Sequence, residues 1–279
     1  MYFCQMFLPM MKKGILLIAI LLVTLSCSEY QKVLKSEDTG LKYNTAEQLY
    51  NEALEEDSNK KFKKALRLFE QVIPDFRGKP QGQKVNYLLA DTYYQLGDYN
   101  ATFEFERFIQ LYPDSEKLEE AVFKKAASYY QFSPRYYLDQ EDTDNAITEL
   151  QVYLNRYPEG EFSEKANEMA TELRIKLEKK AYEIAKQYHH TEYYKAAIAS
   201  FNNFLADYPG SPFREAAYYY RFDSAYQLAI NSFQVLMEER LNEAKELSKS
   251  YKKYYSDNGE YSEQLEISLS DIDKRLQNF

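Results

Sequence analysis

The chain has 279 residues and a formal net charge of −9, with 44 acidic against 35 basic side chains. An acidic balance argues against nucleic acid as a partner, because neutralising phosphates requires a basic surface. Glycine and proline number only eight each, so the composition predicts long helices joined by short loops. The two cysteines, Cys4 and Cys27, provide neither a disulfide framework nor a thiolate metal site.

The first residues have the pattern of a secretory signal. Two lysines precede an uncharged apolar run, Gly14 to Leu25, which is too short to span a bilayer but suits the core of a signal peptide. Ser26 and Cys27 end that run and resemble the bacterial lipobox, at which the chain is cut and the cysteine acylated. We therefore predict a signal peptide over residues 1–26 and lipidation of Cys27. An ordinary cleavage site followed by an incidental cysteine is the alternative.

The stretch after the signal is mostly polar. Residues 27–44 are expected to tether the lipid anchor to the body of the protein. Thr45, with Gln48 three residues later, forms a capping-box arrangement and predicts the start of the first helix.

One helix pattern recurs through the rest of the chain. An alanine is followed four residues later by Leu or Phe and twelve residues later by a proline after tyrosine, at Ala101–Pro113, Ala146–Pro158 and Ala197–Pro209. The apolar positions form one stripe of an α-helix, which the proline ends. Three copies at one internal spacing indicate a repeat protein.

The second copy indicates which repeat this is. The segment before the Ala101 helix, together with that helix, resembles the tetratricopeptide repeat, a helix pair of about 34 residues. The residues that carry the resemblance in that segment are Leu89, Ala90 and Tyr93, before Gly97. We predict an all-α fold, a tetratricopeptide-repeat superhelical solenoid of four to five helix pairs. The repeats are assigned to residues 45–78, 82–114, 118–159, 163–210 and 212–279, the last of them degenerate.

No recognised catalytic motif competes with this architecture. His189 and His190 form the only histidine pair, and they lack a third ligand at recognisable spacing. We therefore predict a protein that is not an enzyme and has no cofactor or metal. The alternative is a hydrolase acting through an unrecognised carboxylate pair, which two carboxylates converging in a dry pocket would support.

Two sets of residues are candidates for binding other proteins. In stacked helix pairs the first helix of each pair lines a concave surface, where rigid aromatic side chains suit an extended peptide. The predicted peptide-binding residues are Tyr50, as the exposed aromatic of the first repeat, and Tyr87, Asp91 and Tyr94 on one face of the second.

Arginine and tyrosine are enriched at interface hot spots. The predicted partner-binding residues are Arg214, Tyr218 and Arg221, on one face of a tyrosine-rich helix. Ordinary helix surface is the alternative for both sets.

Taken together, the lipobox-like signal, the polar tether and repeats ending in Tyr-Pro resemble the BamD family of outer-membrane assembly lipoproteins. The resemblance runs from about Leu16 to the last helix and is strongest at Tyr93 to Pro113 and Tyr188 to Tyr220. It implies a scaffold of the β-barrel assembly machine, on the periplasmic face of a Gram-negative outer membrane and held there by its lipid anchor only.

The resemblance also implies the partners. The later repeats are implied to bind the periplasmic domains of the barrel-forming protein, and the early repeats the C-terminal signal of unfolded outer-membrane proteins. Another tetratricopeptide lipoprotein, which coordinates cell-wall or division enzymes, is the alternative.

Overall fold

The computed structural model of the protein describes residues 29–255 and 258–279. Within these residues the chain is helical and forms no β-strand, so the predicted all-α class is confirmed. The predicted signal peptide and Cys27 lie outside the described residues. None of the described helices has the length and apolar character needed to cross a membrane.

The helices follow one another with short connections, as the low glycine and proline content predicts. Helix α1 covers residues 29–35. The others are α2 (Thr39–Glu56), α3 (Asn59–Val72), α4 (Gly82–Gln95), α5 (Asn100–Leu111), α6 (Leu118–Phe132), α7 (Glu141–Arg156), α8 (Ser163–His190), α9 (Tyr194–Asp207), α10 (Arg214–Ile230), α11 (Gln234–Tyr255) and α12 (Ser262–Leu276). The range 212–279 contains three helices rather than a pair.

Helix α2 begins before the predicted position. It starts at Thr39, and Asp38 caps it by accepting a hydrogen bond from the Leu41 amide at 2.9 Å. Thr45 lies inside the helix and donates to the Leu41 carbonyl at 2.8 Å. The predicted start at Thr45 is therefore wrong, because Asp38 supplies the cap about two turns earlier.

Helix α1 packs on the body of the protein, although it lies in the stretch expected to be a tether. Tyr30, Val33 and Leu34 contact the core around α2 and α3. The Tyr30 hydroxyl donates to the Lys64 carbonyl at 3.1 Å. These apolar side chains give a mostly polar segment one face that it can bury.

The chain divides into two compact units. The first comprises the described residues up to Phe132 together with Val152–Ser163, and the second comprises Ser133–Gln151 and Glu164–Phe279. In both units alanines at the repeated positions are buried where helices cross, among them Ala101 at 1% exposure and Ala197 at 0%. Aromatic side chains fill the remaining space, namely Phe62, Phe69, Phe105 and Phe108 in the first unit and Phe201, Phe204, Phe222 and Tyr251 in the second.

A buried tyrosine fixes the turn after α7 in the first unit. The Tyr153 hydroxyl donates to Glu119 at 2.9 Å and accepts from the Phe162 amide at 3.0 Å. Gly160 lies directly against both side chains, and a β-carbon built there would stand 2.2 Å from Glu119 Oε1. The repeat thus closes through a contact that only glycine leaves room for.

Candidate functional site

Helix α4 is the structural centre of the first candidate site. It packs against α2, α3, α5 and α6, and every residue from Val85 to Thr92 is buried. Tyr87 and Asp91 are 7% and 1% exposed, and Tyr50 on α2 is 7% exposed. The prediction that these three side chains stand on open surface is wrong, because α6 and α2 cover that face of α4. Tyr94 is half-buried.

The predicted residues nevertheless converge, on a lysine that sequence reasoning missed. Lys124 of α6 places its Nζ 2.5 Å from Asp91 Oδ1 and donates to the Tyr87 hydroxyl at 3.1 Å. The Tyr50 hydroxyl donates to the other oxygen of Asp91. The Tyr94 ring centroid lies 5.7 Å from the Lys124 ammonium. We name this site the Lys124 pocket, defined by Tyr50, Tyr87, Asp91, Glu120 and Lys124.

The Lys124 pocket has a polar interior, an apolar wall and a cationic rim. Its volume is about 690 Å³. Leu88 and Phe108 supply apolar lining. The side chains of Lys84 and Lys117 also line it and are 60% and 55% exposed. Glu120 accepts from Lys124 at 2.8 Å, a pair spaced at i and i+4 on α6. That spacing was the sequence signal that could have identified Lys124.

Charges in the pocket hold one another ionised. Burial alone would raise the pKa of Glu120, but hydrogen bonds from Lys117, Lys124 and Tyr87 lower it to about 2. Burial would lower the pKa of Lys124, yet Asp91 and Glu120 outweigh it and raise that pKa. Burial and the neighbouring carboxylates raise the pKa of Tyr50 and Tyr87. At neutral pH the pocket therefore presents fixed charges and neutral hydroxyl groups.

The carboxylates of Asp91 and Glu120 both contact Lys124 Nζ. Two converging carboxylates are the arrangement that the hydrolase alternative requires. Acid–base catalysis by such a pair needs one carboxyl with a raised pKa, so that it carries a proton at working pH. Here the pKa of Glu120 is lowered to about 2, and Lys124 lies between the two groups. The ion pairs of Lys124 with both carboxylates suit recognition of polar groups.

The second candidate site lies on α10 and contains the predicted partner-binding residues. Arg214 donates to the Tyr218 hydroxyl at 3.0 Å, and the Arg221 guanidinium carbon lies 5.1 Å from the Tyr218 ring centroid. We name these three residues the arginine–tyrosine cluster. Tyr218 and Arg221 are only 7% and 9% exposed, so the expectation of an open face is wrong for them. Tyr254 and Tyr255 of α11 pack on the Tyr218 ring, with centroids 5.4 and 6.2 Å away.

Arg221 has an unsatisfied edge. Its Nη1 donates to Asn202 Oδ1 at 3.0 Å. Its Nε and Nη2 are buried and have no hydrogen-bond partner in the described part of the chain, and no carboxylate there pairs with it. Burial lowers the pKa of Arg221. Nε and Nη2 form the edge of a guanidinium that binds a carboxylate with two parallel hydrogen bonds.

His189 of the histidine pair is part of the packing in the second unit, whereas His190 is exposed. His189 Nε2 lies 3.3 Å from Asp223 Oδ2, and Nδ1 lies 3.0 Å from Ser224 Oγ. Ser224 is 0% exposed and donates to the Tyr220 carbonyl at 2.6 Å, so its hydroxyl is not placed to act as a nucleophile. Among the described residues no three His, Cys, Asp or Glu side chains are grouped to hold a metal ion.

Sequence reasoning also missed an exposed apolar tip between α10 and α11. Phe233 and Val235 are 84% and 87% exposed, the largest values among the bulky apolar side chains described. Their exposure marks a surface suited to contact with another protein.

The fold defines the class of this protein as a tetratricopeptide-type helical-repeat protein. The model of the YfiO family, described as an outer membrane lipoprotein, matches residues 42–241. The match spans most of the chain, and the chain belongs to this family of lipoproteins associated with the outer membrane. The matched range contains both the Lys124 pocket and the arginine–tyrosine cluster. No curated protein matches the chain.

Proposed function

We propose that the protein is a BamD-type scaffold subunit of the β-barrel assembly machine, lipid-anchored at Cys27 on the periplasmic face of the outer membrane. Membership of the outer membrane lipoprotein family supports this, as does a repeat fold that presents binding surfaces. The observation that carries the proposal is the Lys124 pocket, where the four predicted peptide-binding residues meet around one ion pair.

In this proposal the Lys124 pocket binds a C-terminal segment of an unfolded outer-membrane protein. Lys84 and Lys117 are paired with Glu47 and Glu120, yet they remain largely exposed, so they can turn toward an incoming carboxylate at little cost. Glu120, whose side chain is 24% exposed, is the pocket carboxylate that can accept a hydrogen bond from a peptide amide. Leu88 and Phe108 supply apolar lining for a side chain of the segment.

The arginine–tyrosine cluster is proposed to bind the periplasmic domains of the barrel-forming partner. The free edge of Arg221 would take an acidic side chain of that partner. Tyr254 lies beside this site, 4.6 Å from the Arg214 guanidinium and 48% exposed, so it is the side chain that a partner would displace. The exposed Phe233 and Val235 offer an apolar contact on the same unit.

Affinity purification of the lipidated protein from detergent-solubilised envelopes tests the assembly role. We expect to recover a large barrel protein with repeated periplasmic domains. Recovery of peptidoglycan enzymes alone would contradict the proposal and would support the alternative scaffold for cell-wall or division enzymes.

Photo-crosslinking tests the pocket. A photoreactive residue in place of Gln95, which is half-buried and lines the cavity of the Lys124 pocket, is expected to crosslink to unfolded outer-membrane proteins. The same residue in place of Tyr137, which is 57% exposed in the second unit, serves as the control. Equal crosslinking of unfolded outer-membrane proteins at both positions would argue against the Lys124 pocket as their binding site.

Metabolic labelling tests the anchor. Cys27→Ala is expected to abolish incorporation of a palmitate analogue, because it removes the side chain to which the lipid is attached. Cys4→Ala, which removes the only other cysteine, is expected to leave the label unchanged. Retention of label in Cys27→Ala would refute lipidation at this residue.

A further inference from the structure

Helix α3 carries a basic face. Lys60, Lys63, Lys64 and Arg67 are spaced at i, i+3, i+4 and i+7, which places them on one side of the helix. Together they line a surface depression of about 360 Å³. Lys60, Lys63 and Arg67 are exposed and Lys64 is half-buried. We call these four residues the basic face.

These cations lack the acidic partners that other lysines of the chain have. None of the four forms an ion pair within the residues that the structure describes. Lys61, on another side of α3, pairs with Glu52 at 2.6 Å and Glu56 at 2.7 Å. Carboxylates of α2 therefore neutralise Lys61, whereas no carboxylate among the described residues pairs with the charges of the basic face.

The basic face lies next to the start of the mature chain. Helix α1 holds Tyr30 against α3, with its hydroxyl on the Lys64 carbonyl and its ring centroid 5.1 Å from Lys64 Nζ. Tyr30 follows Cys27 by three residues, and three residues span at most about 10 Å. An acyl group on Cys27 would thus enter a membrane close to Lys64, in a chain whose family consists of outer membrane lipoproteins.

We propose that the basic face binds the phosphate head groups of anionic phospholipids beside the anchor. A lipid anchor combined with a basic patch gives firmer membrane attachment than either alone, and each cation near an anionic surface contributes about 1 kcal/mol. Screening confines this attraction to about 8 Å at physiological salt, so distant acidic residues do not cancel it. The contact supplements the lipid anchor, which the net charge of −9 gave no reason to expect. It uses neither candidate protein-binding site.

The absence of tryptophan from the chain provides a clean probe. Asn59→Trp places a single indole at the first residue of α3, beside Lys60. The lipidated protein is reconstituted into phosphatidylcholine vesicles with or without phosphatidylglycerol, each containing a head-group spin-labelled lipid. We expect stronger quenching of the indole in the phosphatidylglycerol vesicles, and loss of the difference at high salt. Equal quenching in the two kinds of vesicle would overturn the proposal.

A charge-matched pair of variants tests the residues. Lys60→Gln, Lys63→Gln and Arg67→Gln together remove three exposed cations and leave the Tyr30–Lys64 contact in place. The quenching gives the ratio of protein with the basic face bound to lipid to protein with that face unbound. This ratio is expected to fall roughly a hundredfold, because each removed charge contributes about 1 kcal/mol. The control removes Lys245, Lys249 and Lys252, which each pair with a carboxylate in the second unit, and should keep the quenching.

Two further outcomes separate this proposal from the assembly role. The triple variant of the basic face is expected to co-purify with the barrel-forming partner as the parent does. Loss of that partner with unchanged quenching would overturn the proposal and assign the basic face to a protein. Should the triple variant fail to fold by circular dichroism, the lipid and salt dependence of the parent probe still decides the question.

Discussion

The Lys124 ammonium lies 2.5 Å from the Asp91 carboxylate, joining α6 to α4 inside the first unit. Asp91 is 1% exposed and also accepts the Tyr50 hydroxyl of α2, so one buried carboxylate connects three helices. A carboxylate this deeply buried is stable only with its charge and hydrogen bonds satisfied. The ion pair that shapes the Lys124 pocket is therefore also part of the packing of the unit.

Replacing Lys124 with Met should destabilise the first unit by about 3 kcal/mol, because it leaves Asp91 buried without its cation. Urea denaturation followed by circular dichroism measures the loss. Lys117→Met, which removes an exposed cation from the same pocket, is the control and should cost less than about 1 kcal/mol. Similar losses for the two variants would contradict the role given to the buried pair.

Stability in acid should depend on Glu120. Its folded-state pKa of about 2 lies below the ordinary value of 4.5, so its contribution is full above pH 4.5 and is lost as the pH falls toward 2. This contribution is up to roughly 3 kcal/mol. We expect Glu120→Gln to be less stable than the parent at pH 7 and to lose less stability between pH 5 and pH 2.5, as measured by thermal denaturation. Glu55→Gln, at an exposed position, should keep the parent's pH profile.

Gly160 should not tolerate alanine. The added β-carbon would meet Glu119 Oε1 at 2.2 Å and the Tyr153 hydroxyl at 2.7 Å, and both atoms are held by hydrogen bonds. We expect Gly160→Ala to cost about 1–3 kcal/mol, the range for overpacking. Gly210→Ala, where nothing lies within 4 Å, is the matched control and should stay within about 0.5 kcal/mol of the parent.

The second unit contains the same contact of a tyrosine, a glutamate and a glycine, so the same prediction applies there. Tyr251 donates to Glu215 at 2.8 Å and accepts from the Tyr261 amide at 3.0 Å. A β-carbon on Gly259 would stand 2.2 Å from the Tyr251 hydroxyl. Gly259→Ala should therefore destabilise by an amount similar to Gly160→Ala. A neutral result at either glycine would show that the tyrosine–glutamate contact can shift to make room.

Arg221→Met should stabilise the second unit and weaken partner binding. An apolar side chain of similar length removes two buried nitrogens, Nε and Nη2, that have no acceptor in the described residues, and we expect a gain of about 1 kcal/mol. Thermal denaturation measures the gain, and co-purification of the proposed barrel-forming partner measures the loss of binding. Arg135→Met, at an exposed arginine of the same unit, should change neither. A destabilised Arg221→Met would indicate that packing on Tyr218 is the main role of the arginine.

The sequence by itself determined the all-α class, the buried stripe of the repeated helices and the residues at which those helices end. The spacing of Ala101, Phe105 and Phe108 predicts one buried stripe, and all three are at most 1% exposed. Proline after tyrosine predicts the helix end, and α5 and α9 stop just before that Tyr-Pro pair. These features are local, because a helical turn brings together residues three or four apart whatever surrounds them. The same periodicity correctly grouped Tyr87, Asp91 and Tyr94.

Only the tertiary structure decided what those faces meet. Asp91 and Lys124 lie 33 residues apart in the chain, and no periodicity connects them. Whether a helical face is open or covered depends on which helices pack over it, and here α6 covers Tyr87 while α11 covers Tyr218. The net charge likewise gave no sign that four cations of α3 form no ion pair within the described ranges, because a sum over the chain says nothing about where the charges lie. Burial and charge pairing arise from contacts between distant segments, so they become visible only once the helices are packed.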